Sequence, residues 1–524
     1  MPEIDSQDRK FVDDLLGAFP LAFRAKLICD YKYEPSRRLA NLTLLRRRKE
    51  VAQKLGIRPE FLRLDVSEEE LREKAKRRSQ YCQSLEYSNL STIEQLKAMT
   101  RYVNGFRINA PSANSPLTGT VPVTLTGLDL AYIEGAIKRM CNYGWWLRKL
   151  RRRYVTDVET AAQILGFVNK FKGIYASDFA LRNRLNQKAY QDKLLSSTVV
   201  MNQLGQEFTL KELQEKNVSN PAIRKAELMM RMRGFEELSE EHGHSGVFLT
   251  FTCPSRFHAC HSFNGQRNEK WDGSTPYEGQ QYLCTLFARV RAQWNREGIR
   301  PYGFRVAEPH HDGTPHWHLL LFVEPELKRR LLDICKQYCF EIDGNESGAV
   351  EHRFKAVEID PDKGSATGYI AKYVSKNIDG EHLDEGVYGE SPLEAAVRVD
   401  AWASCWAIRQ FQQIGGASVT VWRELRRLKR NKLIDERLIA IFDCADSGNW
   451  SAFIQKMGGI WCKPSNRPIR ILYKLVVDEK TGECKGNAFG DGLLMRLKGL
   501  LVDGREVITR LFDWQLVSKG PKAL

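Results

Sequence analysis

The stretch EPHHDGTPHWHLLLF, Glu308 to Phe322, constrains the fold more than any other part of the chain. From Pro315 it alternates briefly and then runs apolar, the pattern of a buried strand. Proline suits a strand's first position, where the missing N–H costs least. Upstream, YGFRVAE (Tyr302–Glu308) reads as a second strand, and the prolines, Asp and Gly between the two are turn chemistry. The pair predicts an antiparallel hairpin turning near residues 310–314. Side chains alternate along a strand, so His316 and His318 share one face and Trp317 points the other way. If Glu308 lies across from either histidine, two imidazoles and a carboxylate meet on one face. That set suits a divalent ion, Mn²⁺ readily and Mg²⁺ with retained waters. His310, on the turn, is the reserve ligand. The competing reading is a pair of histidines that only pack or hydrogen-bond in a sheet. All ten histidines fall between His242 and His382, which argues that they are not scattered core filler.

A second stretch, GYIAKYVSKN (Gly368–Asn377), predicts a helix with Tyr369 and Tyr373 one above the other on a single face. Each tyrosine is followed three residues later by a lysine, Lys372 and Lys376. A buried stripe with outward-reaching lysines would look the same. Beside a metal hairpin, a different chemistry opens. A phenol, with a pKa near 10, is a poor nucleophile until a cation or base helps it ionise. A metal polarising a phosphodiester, with an ammonium nearby, supplies that help. The resulting aryl phosphate ester could be resealed by a 3′-hydroxyl without ATP, and a second tyrosine allows a second transfer.

The net charge of +15 supports a polyanionic partner, DNA or RNA. Basic runs recur at Arg46–Lys49, Arg148–Arg153 and Arg423–Arg430. The turn residues His310 and His311 are expected to contact DNA or donate a ligand. No apolar run approaches the roughly 20 residues of a membrane span, and MPEIDSQDRK does not resemble a signal peptide. The dispersed cysteines suit a reducing cytoplasm. Cys253, His258, Cys260 and His261 cluster without a usual zinc spacing. A chain of 524 residues implies several domains. Residues 1–240 read as a mostly helical, basic region with a linker at about 110–123. Residues 241–430 alternate strand and helix, an α+β domain. Residues 431–524 read as a small mixed α/β region, with ILYKLVVDEKTGECKGNAFG as a hairpin.

FLTFTCPSRFHA, EPHHDGTPHWHLLLF and GYIAKYVSKN, in this order, resemble the motifs of the HUH (His-hydrophobic-His) endonucleases, and among them the gene A-type replication initiators of phages. AWASCWAIRQF and VTVWRELRRL further on are also similar to that group. The resemblance covers about residues 247–428 and is weak over the N-terminal helices and the last hundred residues. It implies a five-stranded antiparallel sheet with the histidine pair on a central strand and the tyrosine helix packed alongside. It implies His316 and His318 as metal ligands, Glu308 as a third, Tyr369 and Tyr373 as nucleophiles, and Lys372 and Lys376 near the scissile phosphate. The activity implied is nicking of single-stranded or supercoiled origin DNA in the host bacterial cytoplasm. The enzyme would keep a 5′-phosphotyrosine link and leave a 3′-hydroxyl that primes rolling-circle replication. No G-x-x-x-x-G-K-[ST] loop is present, so a host helicase, negative supercoiling or both are expected to separate the strands.

Three other readings make different predictions. A conjugative relaxase or single-strand transposase would share the chemistry. A non-catalytic, metal-stabilised DNA-binding protein would bind without cutting. A hydrolytic nuclease would cut without a covalent adduct and would leave the paired tyrosines unexplained.

Overall fold

Five strands build the sheet that carries the histidines: β1 (Ser245–Thr252), β2 (Tyr302–Pro309), β3 (Pro315–Val323), β4 (Phe354–Glu358) and β5 (Phe411–Ile414). Their order is β4-β1-β3-β2-β5, every pair antiparallel, with the histidine strand β3 in the middle. This computed structural model describes residues 6–112, 127–360, 364–380, 389–478 and 480–517. The α+β class and the five-stranded antiparallel sheet are as expected. Most of the expected 110–123 linker, and His382, lie outside the described residues.

Both faces of the sheet are covered, which is why β2 and β3 are apolar on both sides. On one face Phe248, Phe304, Val306, Leu320 and Phe322 pack with Leu228, Met232 and Phe235 of α1 (Pro221–His242) and with Ile370 and Val374 of α4 (Ala366–Ile378). Each such side chain, fully buried, contributes about 1.5–3 kcal/mol. Trp317 points to the opposite face, where its indole donates to Gln280 Oε1 at 2.9 Å, a residue of α2 (Pro276–Arg296). A further helix, α3 (Pro325–Phe340), packs beside α2. Gly303 of β2 has φ +147°, and a Cβ there would lie 2.0 Å from the Leu320 carbonyl oxygen. Only glycine permits this approach of β2 to β3.

Local sequence explains where the helices begin. The segment before α2 carries a capping box, Thr275 with Glu278, and Pro276 at the first helical position. The tyrosine helix α4 starts at Ser365, whose hydroxyl accepts from the Gly368 amide at 3.0 Å. Further along, α5 spans Pro392–Trp406.

The chain divides into two compact units, Met1–Ala161 with Tyr473–Leu497, and Ala162–Leu472 with Lys498–Leu524. The first is helical around a core that includes Trp145, Trp146, Met99 and Val103. The second holds the five-stranded sheet. Helices Glu436–Asp446 and Trp450–Lys456 add Leu438, Ile441, Trp450 and Phe453 to the core on the tyrosine side of that sheet. The strand Trp514–Leu516 pairs with Val199–Asn202 in a separate small sheet. The hairpin expected after Ile469 survives only as isolated bridges, Val477 with Cys484 and Gly486 with Leu493. Strand Ile469–Leu475 instead joins a three-stranded sheet with Met495–Val502 and Arg505–Ile508.

Candidate metal centre and tyrosine helix

Antiparallel register sets the ligand group. Glu308 lies opposite His316, and His318 opposite Val306, so Glu308, His316 and His318 share one face. One ligand atom from each lies within 4.8 Å of the others, the group of this kind found among the described residues. His316 and His318 stand nearly perpendicular, ring centroids 4.7 Å apart. His318 Nε2 is 4.0 Å from Glu308 Oε2. Its other nitrogen, Nδ1, meets the Thr250 hydroxyl at 3.1 Å, which fixes the ring's orientation.

The donor set fits a divalent ion. His316 Nδ1 and His318 Nε2 are buried and have no hydrogen-bond partner among the described residues. Buried polar atoms are almost always paired, so two unpaired imidazole nitrogens beside a carboxylate form a donor set that could hold a cation. Burial holds both imidazoles well below the usual histidine range, helped at His316 by His318 and Lys376 and at His318 by Lys376 and His310. Neutral imidazole is the form that ligates a metal. Burial pushes the Glu308 carboxyl upward, against the pull of Lys376, Asn377 and Lys372. Glu308 is only 1% exposed and is gripped from α4: Lys376 Nζ lies 3.4 Å from Oε2 and Asn377 donates to Oε1. Asn377 in turn accepts from Gln410 at 2.8 Å.

The tyrosines lie over this group. The Tyr373 ring is stacked 3.9 Å from His318 and 5.4 Å from Phe248. Tyr369, one turn earlier, faces Phe248 at 6.5 Å. Both are half-buried against the core, so the buried stripe and the site are the same helix face. Burial, with the Glu308 charge adding, pushes the Tyr373 phenol up to about 12. The two lysines part company. Lys372 is exposed, its ammonium 4.9 Å above the Tyr373 ring, whereas Lys376 is buried against Glu308.

Two tethers to α1 fix the tyrosine helix. Glu236 accepts from the Ala366 and Thr367 amides and from the Thr367 hydroxyl at the helix start. Lys225 pairs with Asp379 at 2.8 Å just past its end. Nothing in the local sequence of either partner announces these contacts.

Residues 310–314 correct an expectation. The turn is not an exposed tip: His311 is 3% exposed and Asp312 is fully buried. Gln163 donates to the Asp312 carbonyl, the Tyr175 amide to the His311 carbonyl and the Trp402 indole to the Gly313 carbonyl. A contact of His311 with DNA is therefore sterically closed. His310 is not in the ligand group; it stacks on His316 at 4.0 Å. Its neighbour His258 contacts Asp312 at 3.2 Å. Burial opposes ionisation of Asp312, but His258, His311 and His310 outweigh it and keep that carboxyl well below the usual range. Cys253, His258, Cys260 and His261 do not gather into a metal-ligating group among the described residues. A cavity of about 500 Å³ opens beside the histidines, lined by Thr250, Thr252, His258, His310, His352 and Lys355.

Fold and site together define an α+β protein whose antiparallel sheet presents a histidine–carboxylate group beneath a two-tyrosine helix. The chain belongs to the bacteriophage replication gene A protein family, whose model matches residues 68–381. The match begins well upstream of residue 247, so the N-terminal helices share in the family likeness more than their motifs suggested. The chain is 41% identical over 400 residues to a replication gene A protein of Escherichia phage 186, covering 74% of this chain and 56% of that one. It is 44% identical over 348 residues to a probable replication protein of Pseudoalteromonas phage PM2, 65% of this chain and 54% of that one. A probable replication endonuclease from a prophage-like region of Salmonella paratyphi A is 34% identical over 408 residues, 74% and 50% of the two chains. The chain thus spans about half the length of the curated relatives it matches. No solved structure matches it significantly. Among the described residues no helix is long and apolar enough to cross a membrane.

Proposed function

We propose that the protein initiates phage DNA replication as a metal-dependent endonuclease and strand transferase. It nicks one strand at the origin and keeps the 5′ end as a phosphotyrosine. A bound Mn²⁺ or Mg²⁺, held by Glu308, His316 and His318, would draw electron density from a phosphodiester oxygen and so stabilise charge in the transition state. The scissile strand enters along the cavity beside Thr250 and Lys355. The phenolic oxygen of Tyr373 attacks phosphorus, its proton passing to solvent. The bond from phosphorus to the 3′-oxygen breaks, and that oxygen takes up a proton to leave a free 3′-hydroxyl for priming. Tyr369 performs the second transfer that rejoins the displaced strand.

A phenol held up to about 12 is almost wholly protonated at neutral pH, so the reaction needs positive charge near the attacking oxygen. Lys372, poised above the Tyr373 ring, is the protein's own contribution. Lys376 acts instead on the carboxylate ligand. The exposed cations Arg148, Lys149 and Arg152 of the N-terminal unit suit the origin duplex, with strand separation left to a host helicase. These steps belong to the host bacterial cytoplasm.

The observation that carries the reading is the Tyr373 ring stacked on His318, on the same sheet face as Glu308 and His316. The test is incubation of the protein with single-stranded origin DNA and Mn²⁺, followed by a denaturing protein gel. A covalently shifted band is expected, lost in the Tyr369→Phe/Tyr373→Phe double variant while DNA affinity is kept. Strand scission without an adduct would indicate hydrolysis, and binding without scission a DNA-binding protein. Either result overturns the proposal.

A further inference from the structure

Tyr175 belongs to none of the three motifs, yet it reaches the candidate metal centre. It is 1% exposed, and its φ of 67° places a non-glycine residue in the left-handed region. Such conformations persist where the surroundings demand them, and they cluster at functional sites. Here the surroundings are explicit. The Tyr175 amide donates to the His311 carbonyl at 3.2 Å, on the turn of the histidine hairpin. Its hydroxyl donates to Glu390. The face of its ring lies 4.8 Å from Lys376 Nζ, the ammonium that also grips Glu308.

This ammonium has a problem to solve. It is 5% exposed, and its carboxylate partner is the proposed ligand of a dication. When the ion takes Glu308, the ammonium loses its counter-charge and meets two positive charges while largely shielded from bulk water. An aromatic face is a place where a desolvated cation is stabilised without an anion. We propose that Tyr175 is a positioning residue whose ring face, already beside the Lys376 ammonium, becomes its chief partner when a divalent cation occupies Glu308, His316 and His318. The His311 carbonyl, accepting from the Tyr175 amide, fixes the backbone from which the ring reaches Lys376. The inference rests on the metal reading of those three ligands. It also extends the site to a segment about 130 residues upstream of the ligand hairpin, a segment that no motif singles out.

The test is Mn²⁺ binding by the full chain without DNA, followed through the paramagnetic resonance signal of free Mn²⁺. Tyr175→Leu should weaken binding roughly two- to thirty-fold, the span of cation–π contacts from exposed to desolvated. Tyr175→Phe keeps the face and should stay within about twofold of the parent. In a Lys376→Met background, where no ammonium needs a refuge, Tyr175→Leu should have no further effect. Unchanged affinity in Tyr175→Leu, or an equal loss in both backgrounds, overturns the inference, the second outcome pointing to packing alone. Should Tyr175→Leu not fold, Mg²⁺ titration of tyrosine-labelled protein by carbon NMR, assigned with Tyr175→Phe, takes its place. The Tyr175 ring signal should shift with Mg²⁺ and stay still in Lys376→Met; no shift in the parent overturns the inference. If the parent binds no Mn²⁺, or His316→Ala binds as the parent does, the metal reading itself has failed.

Discussion

Metal binding at this site should release far fewer protons than its two histidines suggest. Two ordinary imidazoles with pKa near 6.5 are each about nine-tenths protonated at pH 5.5, so an ion would displace about 1.8 protons from them. His316 and His318 are held well below that range by burial, with His318 and Lys376 adding at His316 and Lys376 and His310 adding at His318, so both carry fewer protons at pH 5.5 than free imidazoles. Glu308, whose carboxyl burial pushes upward, has a proton of its own to give, so the imidazole share is read in Glu308→Gln and should fall well short of about 1.8 per ion. The sign follows: affinity falls on acidification, with Glu308 protonating sooner than a free carboxylate and the histidines later than free imidazoles. Calorimetric Mn²⁺ titration at pH 5.5, in buffers of different ionisation enthalpy, counts the protons directly. Glu308→Gln, titrated at higher Mn²⁺, leaves only the imidazole share. Release approaching about 1.8 in Glu308→Gln would refute the claim that burial depresses these imidazoles.

Two further outcomes test the frame around the site. Gly303→Ala places a methyl 2.0 Å from the Leu320 carbonyl, a backbone atom with no rotamer to yield, and should cost at least about 3 kcal/mol in urea unfolding; unaltered stability would mean that β2 and β3 do not approach as described. Glu236→Ala removes the acceptor for the first amides of α4 and should cost about 1–2 kcal/mol. It should also slow adduct formation without weakening DNA binding, and an unchanged adduct rate would show that the tether does not position the tyrosines.

Much of the site could be read from spacing because its parts are local. Two-residue alternation puts His316 and His318 on one face whatever the rest of the chain does, and four-residue spacing stacks Tyr369 over Tyr373. A short turn limits the possible registers, so Glu308 opposite His316 was within reach as well. The separate fates of Lys372 and Lys376 were not. The same Tyr-x-x-Lys spacing leaves one lysine exposed and buries the other, because only Lys376 lies where α4 crosses the carboxylate of β2.

The turn is the clearest case. Asp, Gly and proline signalled a turn correctly, but turn chemistry says nothing of what lies above it, and here Gln163, Tyr175 and Trp402 bury it. Local sequence by itself determined which side chains share a face, since that depends on backbone geometry over a few residues. Tertiary structure alone decided which faces meet, and with them the depressed imidazoles, the gripped Glu308 and the approach of Tyr175. Desolvation and charge pairing arise between segments far apart in the chain, and no local pattern encodes that distance.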